Sequence, residues 1–528
     1  MAKASTHLNT VGSDPAGFGL GEHAGAAAVA AWFIVYGAIH GLITRAAGPS
    51  LALDDAKLNV VTQSLQGGYM TENPPLFEWT LILAQQAVGP TLLSFIIVKY
   101  AFLTIAGVAT YGAARIALGN RPWAALTAIS LTAIYQIGWN FHQAFTHTTA
   151  LTAAIALYWW ALARVARSGE SRDYVLLGLA LGLGALAKYS FLPAAAIGLL
   201  AVALEPSMRS RALTWRMAIA IAVAAVMVWP HAAWVLTDNP DVVGKTSSRL
   251  AGAEASYIER IAEGAPSALW AVVSFALPIA PMAWIAFGRR RLTAAPLDHE
   301  LPRIARRATL IGAAALIGVV FALGMERMQE RYAIPFLFPL VFWLMAAARS
   351  AMADRIGALN RFLALSAAGL VAVAGLRAAA AIWPGPPFCE ECRQFVPYEP
   401  LAAAIEARGL AAGTLVGFED HTAGNLRRLL PRARVISGHM PYYTPPATPE
   451  RRTVEADCLF IWSLDLGPRP IDRVVDAVDP STSFTASATW RTASRNEAAR
   501  IATWTIAPIN HNERLTRELC RIRPPADK

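Results

Sequence analysis

The chain alternates long apolar runs with short polar connectors. Apolar stretches lie at 24–46, 90–113, 122–138, 147–165, 173–187, 189–204, 214–236, 267–287, 308–324, 333–348 and 361–383. Most approach the roughly 20 residues that a helix needs to cross a bilayer, so the pattern predicts about eleven transmembrane helices. The fifth and sixth runs are short and interrupted by "AKYS", which leaves the count open by one or two. The stretch 76–88 is shorter still and predicts a helix lying at the interface. The first run, Ala24 to Ala46, is too long for a signal-peptide core, and no small-residue cleavage pattern follows it. It reads as an uncleaved anchor behind a disordered polar tail, 1–23.

After Trp383 the pattern changes. "EPLAAAIEARGL" and "HTAGNLRRLL" read as helices, and "GTLVGF", "ARVIS" and "DCLFIW" as strands. This alternation predicts a small α/β domain over 384–528 with a short, mostly parallel sheet. The expected architecture is a polytopic α-helical membrane domain, 24–383, with an extramembrane loop at 47–89 and a C-terminal α/β domain.

Composition agrees. Of 528 residues, 55% are hydrophobic and 16% charged, less charge than soluble domains carry. The net charge of +10 would fit a nucleic-acid binder if the chain were soluble. Here the basic residues sit mostly in short loops between apolar runs, and no basic nucleic-acid stripe is present. Their asymmetry places the N-terminus in the cytoplasm. It places Leu51–Leu81, and everything after Trp383, outside, on the far side of the membrane from the cytoplasm. The four cysteines, Cys389, Cys392, Cys458 and Cys520, all follow the last run. On that side disulfides persist, and three pairings are open. "CEEC" also reads as a zinc half-site or a redox pair, but no second CxxC completes a zinc pattern.

Five polar clusters fall near the outer ends of the runs. The segment "LALDDAKLNVVTQSLQGGYMTENPPLFEWTL" holds Asp54, Asp55, Lys57, Tyr69 and Glu72. "GWNFHQAFTHTT" holds Trp139, His142 and His147, and "LAKYSF" holds Lys188 and Tyr189. "WPHAAW" holds His231, and "MQERYAIP" holds Arg331 and Tyr332. Charges this close to a membrane are costly and mark functional paths. The set offers a carboxylate for acid–base work, cations for phosphate and aromatic walls. One of Asp54 and Asp55 is expected to N-cap the helix "DAKLNVVTQSL". His421 in "FEDHTAGN" reads as a loop or cap residue. No GxGxxG or P-loop is present.

The loop from Leu53 to Trp79 resembles the first periplasmic loop of GT-C membrane glycosyltransferases. That superfamily includes dolichyl-phosphate-mannose protein mannosyltransferases and the bacterial aminoarabinose and galacturonic acid lipid A/LPS transferases. "LLGLALGLGALAKYSFLPA" and "ERYAIPFLFPL" are similar to two later landmarks of the same family. The resemblance implies the GT-C fold and inverting transfer of a sugar from a polyprenyl-phosphate donor. The acceptor would be a hydroxyl of a lipid or envelope glycan. It implies Asp54 as general base, with Asp55, Glu72 and His147 in support. It implies Lys57, Lys188 and Arg331 at the donor phosphate, and Tyr69, Trp139, His142, Tyr189, His231 and Tyr332 lining the pocket. No metal or other cofactor is expected. One departure stands out. Many members carry an aspartate at the start of the fourth span, where "FTHTTAL" has His147 and Thr148. Competing readings are a protein acceptor, a transporter or flippase for a lipid-linked substrate, and an assembly protein acting through its tail. The lack of an internal repeat speaks against a transporter.

Overall fold

The first apolar run folds as α1 (Ala26–Ala47). It is followed by α2 (Leu53–Val61), α3 (Leu76–Val88) and α4 (Leu92–Leu118). The structure is a computed structural model. It describes residues 25–143, 145–238, 256–294, 296–297, 299–352, 356–383, 385, 388, 392–440, 442–446, 458–466, 481–490, 500–509 and 519–520. Next come α5 (Arg121–Ile129), α6 (Tyr135–Gly138), α7 (His147–Arg167), α8 (Ser171–Ala187), α9 (Phe191–Ala203), α10 (Arg209–Ala212) and α11 (Met217–Asp238). The later helices are α12 (Tyr257–Ala276), α13 (Ile279–Phe287), α14 (Arg289–Ala294), α15 (Glu300–Leu323), α16 (Ala333–Leu337), α17 (Leu340–Met352) and α18 (Ile356–Ile382).

Six single helices are long and apolar enough to cross a membrane: α1, α4, α7, α11, α15 and α18, though α18 qualifies over 357–382. Two bent pairs raise the number to as many as eight among the described residues, α12 with α13 at 43° and 330–337 with α17 at 57°. The sequence pattern predicts about eleven spans, and six to eight helices meet the length and composition of a single span among the described residues. The run 122–138 is broken into α5, a 3-10 turn at Ser130–Ala133 and α6. Helices α8 and α9 have 17 and 13 residues. Apolar content reports burial, and a segment buried among other helices reads the same as one that spans.

Helices α4, α7, α8 and α11 pack in succession, and α1 lies against α4. Their contacts are rich in alanine and glycine, which lets backbones approach closely. Local chemistry sets the α7–α8 corner. Glu170 and Asp173 form a reciprocal capping box at the start of α8, and Asp173 also pairs with Arg164 at 3.0 Å.

The C-terminal domain holds α19 (Glu399–Glu406), α20 (Asp420–Leu429) and a five-stranded sheet. Its strands are β1 (Thr414–Gly417), β2 (Arg434–Ser437), β3 (Cys458–Ser463), β4 (Phe484–Trp490) and β5 (Arg500–Pro508), in the order β2-β1-β3-β5-β4. The sheet is mixed rather than mostly parallel. Strand β1 runs parallel to β2 and β3, while β5 runs antiparallel to β3 and β4. Cys458 is bonded to Cys520, which ties β3 to the chain's end. Cys392 is also disulfide-bonded; Cys389 lies outside the described residues.

This domain grips α2. Helix α20 crosses it so closely that a Cβ on Gly424 would sit 2.1 Å from the Ala56 carbonyl oxygen. His421 is not a loop residue. It lies in the first turn of α20, 1% exposed. Its Nε2 donates to the Leu51 carbonyl at 2.8 Å, and its Nδ1 accepts from the Tyr398 hydroxyl at 2.8 Å. Burial pushes the imidazole down to about 4. Arg427 donates to Thr62 Oγ1 (2.7 Å), the Thr62 carbonyl (2.8 Å) and Gln85 Oε1 (3.0 Å), and also to the Asn59 carbonyl.

Candidate active site

Helix α2 starts without a side-chain cap, since its N-cap is Ala52. Asp54 and Asp55 instead occupy the first turn, where the helix dipole favours negative charge. Neither caps the helix, contrary to the expectation for this segment. Neighbours on a helix point about 100° apart, so the two carboxylates meet different surroundings.

Asp55 is buried against Lys99 of α4, with the ammonium 3.0 Å from the carboxylate. Burial raises the Asp55 carboxyl, and Lys99 opposes that rise. Asp54 is half-buried and has no hydrogen bond or ion pair among the described residues. Its charge reaches Lys188 instead.

Lys188 lies in the loop between α8 and α9. Its Nζ donates to Thr148 Oγ1 at 3.2 Å and sits 5.4 Å from the centroid of the Tyr332 ring. Burial, and then the neighbouring charge of Arg331, push its ammonium down to about 7, while Asp54 pulls it back up. Arg331 sits in the 3-10 turn before α16, and its Nε is buried with no hydrogen-bond partner among the described residues. Asp54, Lys188, Arg331 and Tyr332 thus converge from three distant parts of the chain. Lys57 follows one turn after Asp54, half-buried, with no hydrogen bond or ion pair among the described residues.

A second wall forms around His231 of α11. Its Nδ1 donates to the Gly67 carbonyl at 2.9 Å, so its Nε2 accepts from the Tyr189 hydroxyl at 3.0 Å. The ring stacks on Trp234 and Tyr189. The "QGGY" turn fits this wall only with glycine, because a Cβ on Gly68 would lie 2.3 Å from Trp234. Burial raises the Tyr189 phenol to about 12, with the charge of Glu72 adding to the effect. Glu72 therefore also borders this wall.

His147 opens α7, and its Nε2 lies 2.9 Å from Glu78 Oε1. Glu78 is fully buried, and its Oε2 has no partner among the described residues. Next to His147, Thr148 holds Lys188, so the dyad abuts the cationic group.

Three expected pocket residues lie elsewhere. The Tyr69 hydroxyl is used within its own turn, donating to the Ser64 carbonyl and accepting from the Gln66 amide. Trp139 and His142 line a separate cleft with Asp55, Lys99 and Arg377. There His142 stacks on His40 at 3.8 Å and is bonded to the hydroxyls of Tyr36 (2.6 Å) and Tyr100 (2.9 Å).

Sequence reasoning passed over Glu78, Lys99 and Arg377. For Lys99 and Arg377 a signal existed, a lone charge inside the apolar runs "IIVKYAF" and "AGLRAAAA". Glu78 reads locally as an ordinary polar position of a short amphipathic helix. Among the described residues no group of three or more His, Cys, Asp or Glu side chains is placed to hold a metal ion.

Residues 72–234 match the dolichyl-phosphate-mannose-protein mannosyltransferase family. The lipopolysaccharide core galacturonosyltransferase RgtB of Rhizobium johnstonii is 28% identical over 448 residues, 84% of this chain and 87% of that protein. RgtA of the same organism, also a lipopolysaccharide core galacturonosyltransferase, is 29% identical over 419 residues, 78% of this chain and 82% of that protein. ArnT from Cupriavidus metallidurans, solved bound to undecaprenyl phosphate, shares the fold at a TM-score of 0.55 and 14% identity. The match covers 91% of this chain and 98% of ArnT. The chain is a membrane glycosyltransferase that shares the fold of ArnT.

The family match spans Glu72, Glu78, His147, Lys188 and His231. Asp54 and Arg331 lie outside the matched stretch, and tertiary packing brings them to it.

Proposed function

We propose that this enzyme transfers a sugar from a polyprenyl-phosphate donor to a hydroxyl of lipopolysaccharide, at the periplasmic face of the bacterial inner membrane. The observation that carries this reading is the Asp54 carboxylate, without a hydrogen bond or ion pair among the described residues, whose charge reaches Lys188 next to Arg331. The relatives named for lipopolysaccharide align over most of the chain, and the related fold of ArnT held undecaprenyl phosphate. The excess of Lys and Arg in the opposite loops supports the sidedness.

In this mechanism the acceptor oxygen attacks the anomeric carbon while Asp54 takes its proton. The bond from that carbon to the phosphate oxygen breaks on the opposite face, so the centre inverts. The bonding electrons leave with the polyprenyl phosphate. Lys188 supplies a compact charge to that group, and Arg331 supplies donors in a fixed fork. The Nε of Arg331, buried and without a partner among the described residues, is a donor held ready for an oxygen. Glu78 fixes His147, which fixes the start of α7 and thereby the Thr148 hydroxyl that holds Lys188. No step needs a metal ion.

Galacturonic acid is the first sugar to test, because both relatives carry it in their names. Purified protein is incubated with polyprenyl-phosphate galacturonic acid and a lipopolysaccharide core acceptor. Mass spectrometry is expected to show the acceptor gaining one hexuronic acid residue. A folded enzyme that adds no sugar from any polyprenyl-phosphate donor would overturn the proposal.

A further inference from the structure

Helix α18 carries a guanidinium into the helical bundle. Arg377 donates to His40 Nδ1 at 2.8 Å and Thr44 Oγ1 at 2.9 Å, and to the carbonyls of His40 and His142 at 3.3 Å. None of these partners carries a negative charge. Among the described residues no carboxylate pairs with Arg377, because Asp55, which lines the same cleft, is already matched by Lys99. Counted over the described residues that line it, the cleft keeps one positive charge in excess. Arg377 is half-buried, and a charge withdrawn from water without a counter-charge is costly, so proteins retain one where a ligand supplies the partner.

The cleft has room for such a ligand. Its volume is about 510 Å³, and Trp139, Gln143 and Gln394 share its wall with the charged groups. An aromatic face with amides and hydroxyls suits a saccharide. Beside it runs an apolar groove of about 670 Å³ between α1 and α4, lined by Leu42, Val88 and Leu93, with Arg45 also in its wall. Leu92 and Ile96 line both spaces, so a molecule with a polar head and a hydrocarbon tail could occupy the two together. The cleft also reaches Asp55, the residue next to the proposed base, whereas Lys188 and Arg331 are not part of its wall.

We infer that this cleft is the acceptor site, and that it takes an anionic glycolipid whose acidic group rests on Arg377 and whose hydrocarbon lies in the α1–α4 groove. The inference rests on the reading that Lys188 and Arg331 hold the donor. Donor and acceptor then approach the first turn of α2 from separate cavities, with Asp54 and Asp55 between them.

Binding to the purified full-length protein in detergent separates the two readings. The probes are a deep-rough lipopolysaccharide glycolipid, its phosphatase-treated and carboxyl-reduced forms, and undecaprenyl phosphate. Arg377→Gln is expected to weaken binding of the native glycolipid by about tenfold or more, the effect of losing a charge-assisted hydrogen bond. It is expected to leave undecaprenyl phosphate binding within about twofold. Ile96→Trp keeps the Arg377 network and blocks the passage between groove and cleft, so it is expected to weaken the glycolipid as well. Whichever treated form loses affinity for the wild type but not for Arg377→Gln identifies the acidic group. The inference is overturned if neither form loses affinity, if both variants bind the native glycolipid normally, or if Arg377→Gln weakens undecaprenyl phosphate instead. Arg331→Gln tests the donor reading alone, since normal undecaprenyl phosphate binding in that variant rejects the donor site and leaves the cleft untouched.

Discussion

Lys99 and Asp55 meet 3.0 Å apart with side-chain exposures of 10% and 6%, which anchors the first turn of α2 to α4. Removing either partner strands a buried charge, at a typical cost of about 3–5 kcal/mol. Asp55→Asn and Lys99→Met are each expected to lower thermal stability strongly. The double variant is expected to lose far less than the two together, and additive losses in a double-mutant cycle would show the pair to be uncoupled.

Asp54 is expected to behave in the opposite way. It has no hydrogen bond or ion pair to strand among the described residues, so Asp54→Asn is expected to leave the melting temperature unchanged. Loss of a general base lowers kcat by about 10²–10⁴. Donor KM is expected to stay close to wild type, and a large rise in KM with unchanged kcat would assign Asp54 to binding instead.

Lys188 predicts a pH dependence. Its ammonium is held down to about 7, from an ordinary value of 10.5, by burial and by Arg331. It is charged below that pH and neutral above it. The phosphate prefers the charged form, so undecaprenyl phosphate affinity is expected to fall as pH rises above about 7, until the bound lysine also titrates. Lys188→Arg keeps its charge and is expected to flatten this fall. Titration calorimetry across the range checks both.

His421 predicts a stability change at lower pH. Its folded value of about 4 lies below its ordinary 6.5, so between these the unfolded chain binds more protons. Stability is present above pH 6.5 and is lost as pH falls toward 4, by up to about 3 kcal/mol. Because the imidazole joins Tyr398 to the Leu51 carbonyl, the loss should appear first as protease sensitivity near 51–56. His421→Asn is expected to remove the slope at the cost of lower stability throughout, and an unaltered slope would place the titration elsewhere.

The candidate spans were legible because α1, α4, α7, α11, α15 and α18 are each long and apolar along their own sequence, whatever their neighbours do. Lys188 was legible because the positive-inside bias does not put a cation there, and the structure brings it to Arg331 and Asp54. The rest depends on partners distant in sequence. Nothing local says that His421 pairs with a carbonyl 370 positions earlier, or that Glu78 meets a histidine 69 positions later. Asp54 and Asp55 form one acidic pair in sequence, and only helix geometry assigns them to different neighbours. In the C-terminal domain, β1 and β3 were read as strands, but the partner of β3 on its other edge is β5, whose antiparallel run reverses the expected direction.

The clasp of α20 on α2 also orders events during synthesis. The Leu51 amide donates to Asn425, 374 positions away, and β3 of the same domain is bonded to Cys520 near the end of the chain. The first turn of α2 emerges early, but α20 is translated only after every helix of the membrane domain. Contacts this far apart form late and slowly. A nascent or truncated chain thus carries Asp54 without the surface that holds its helix.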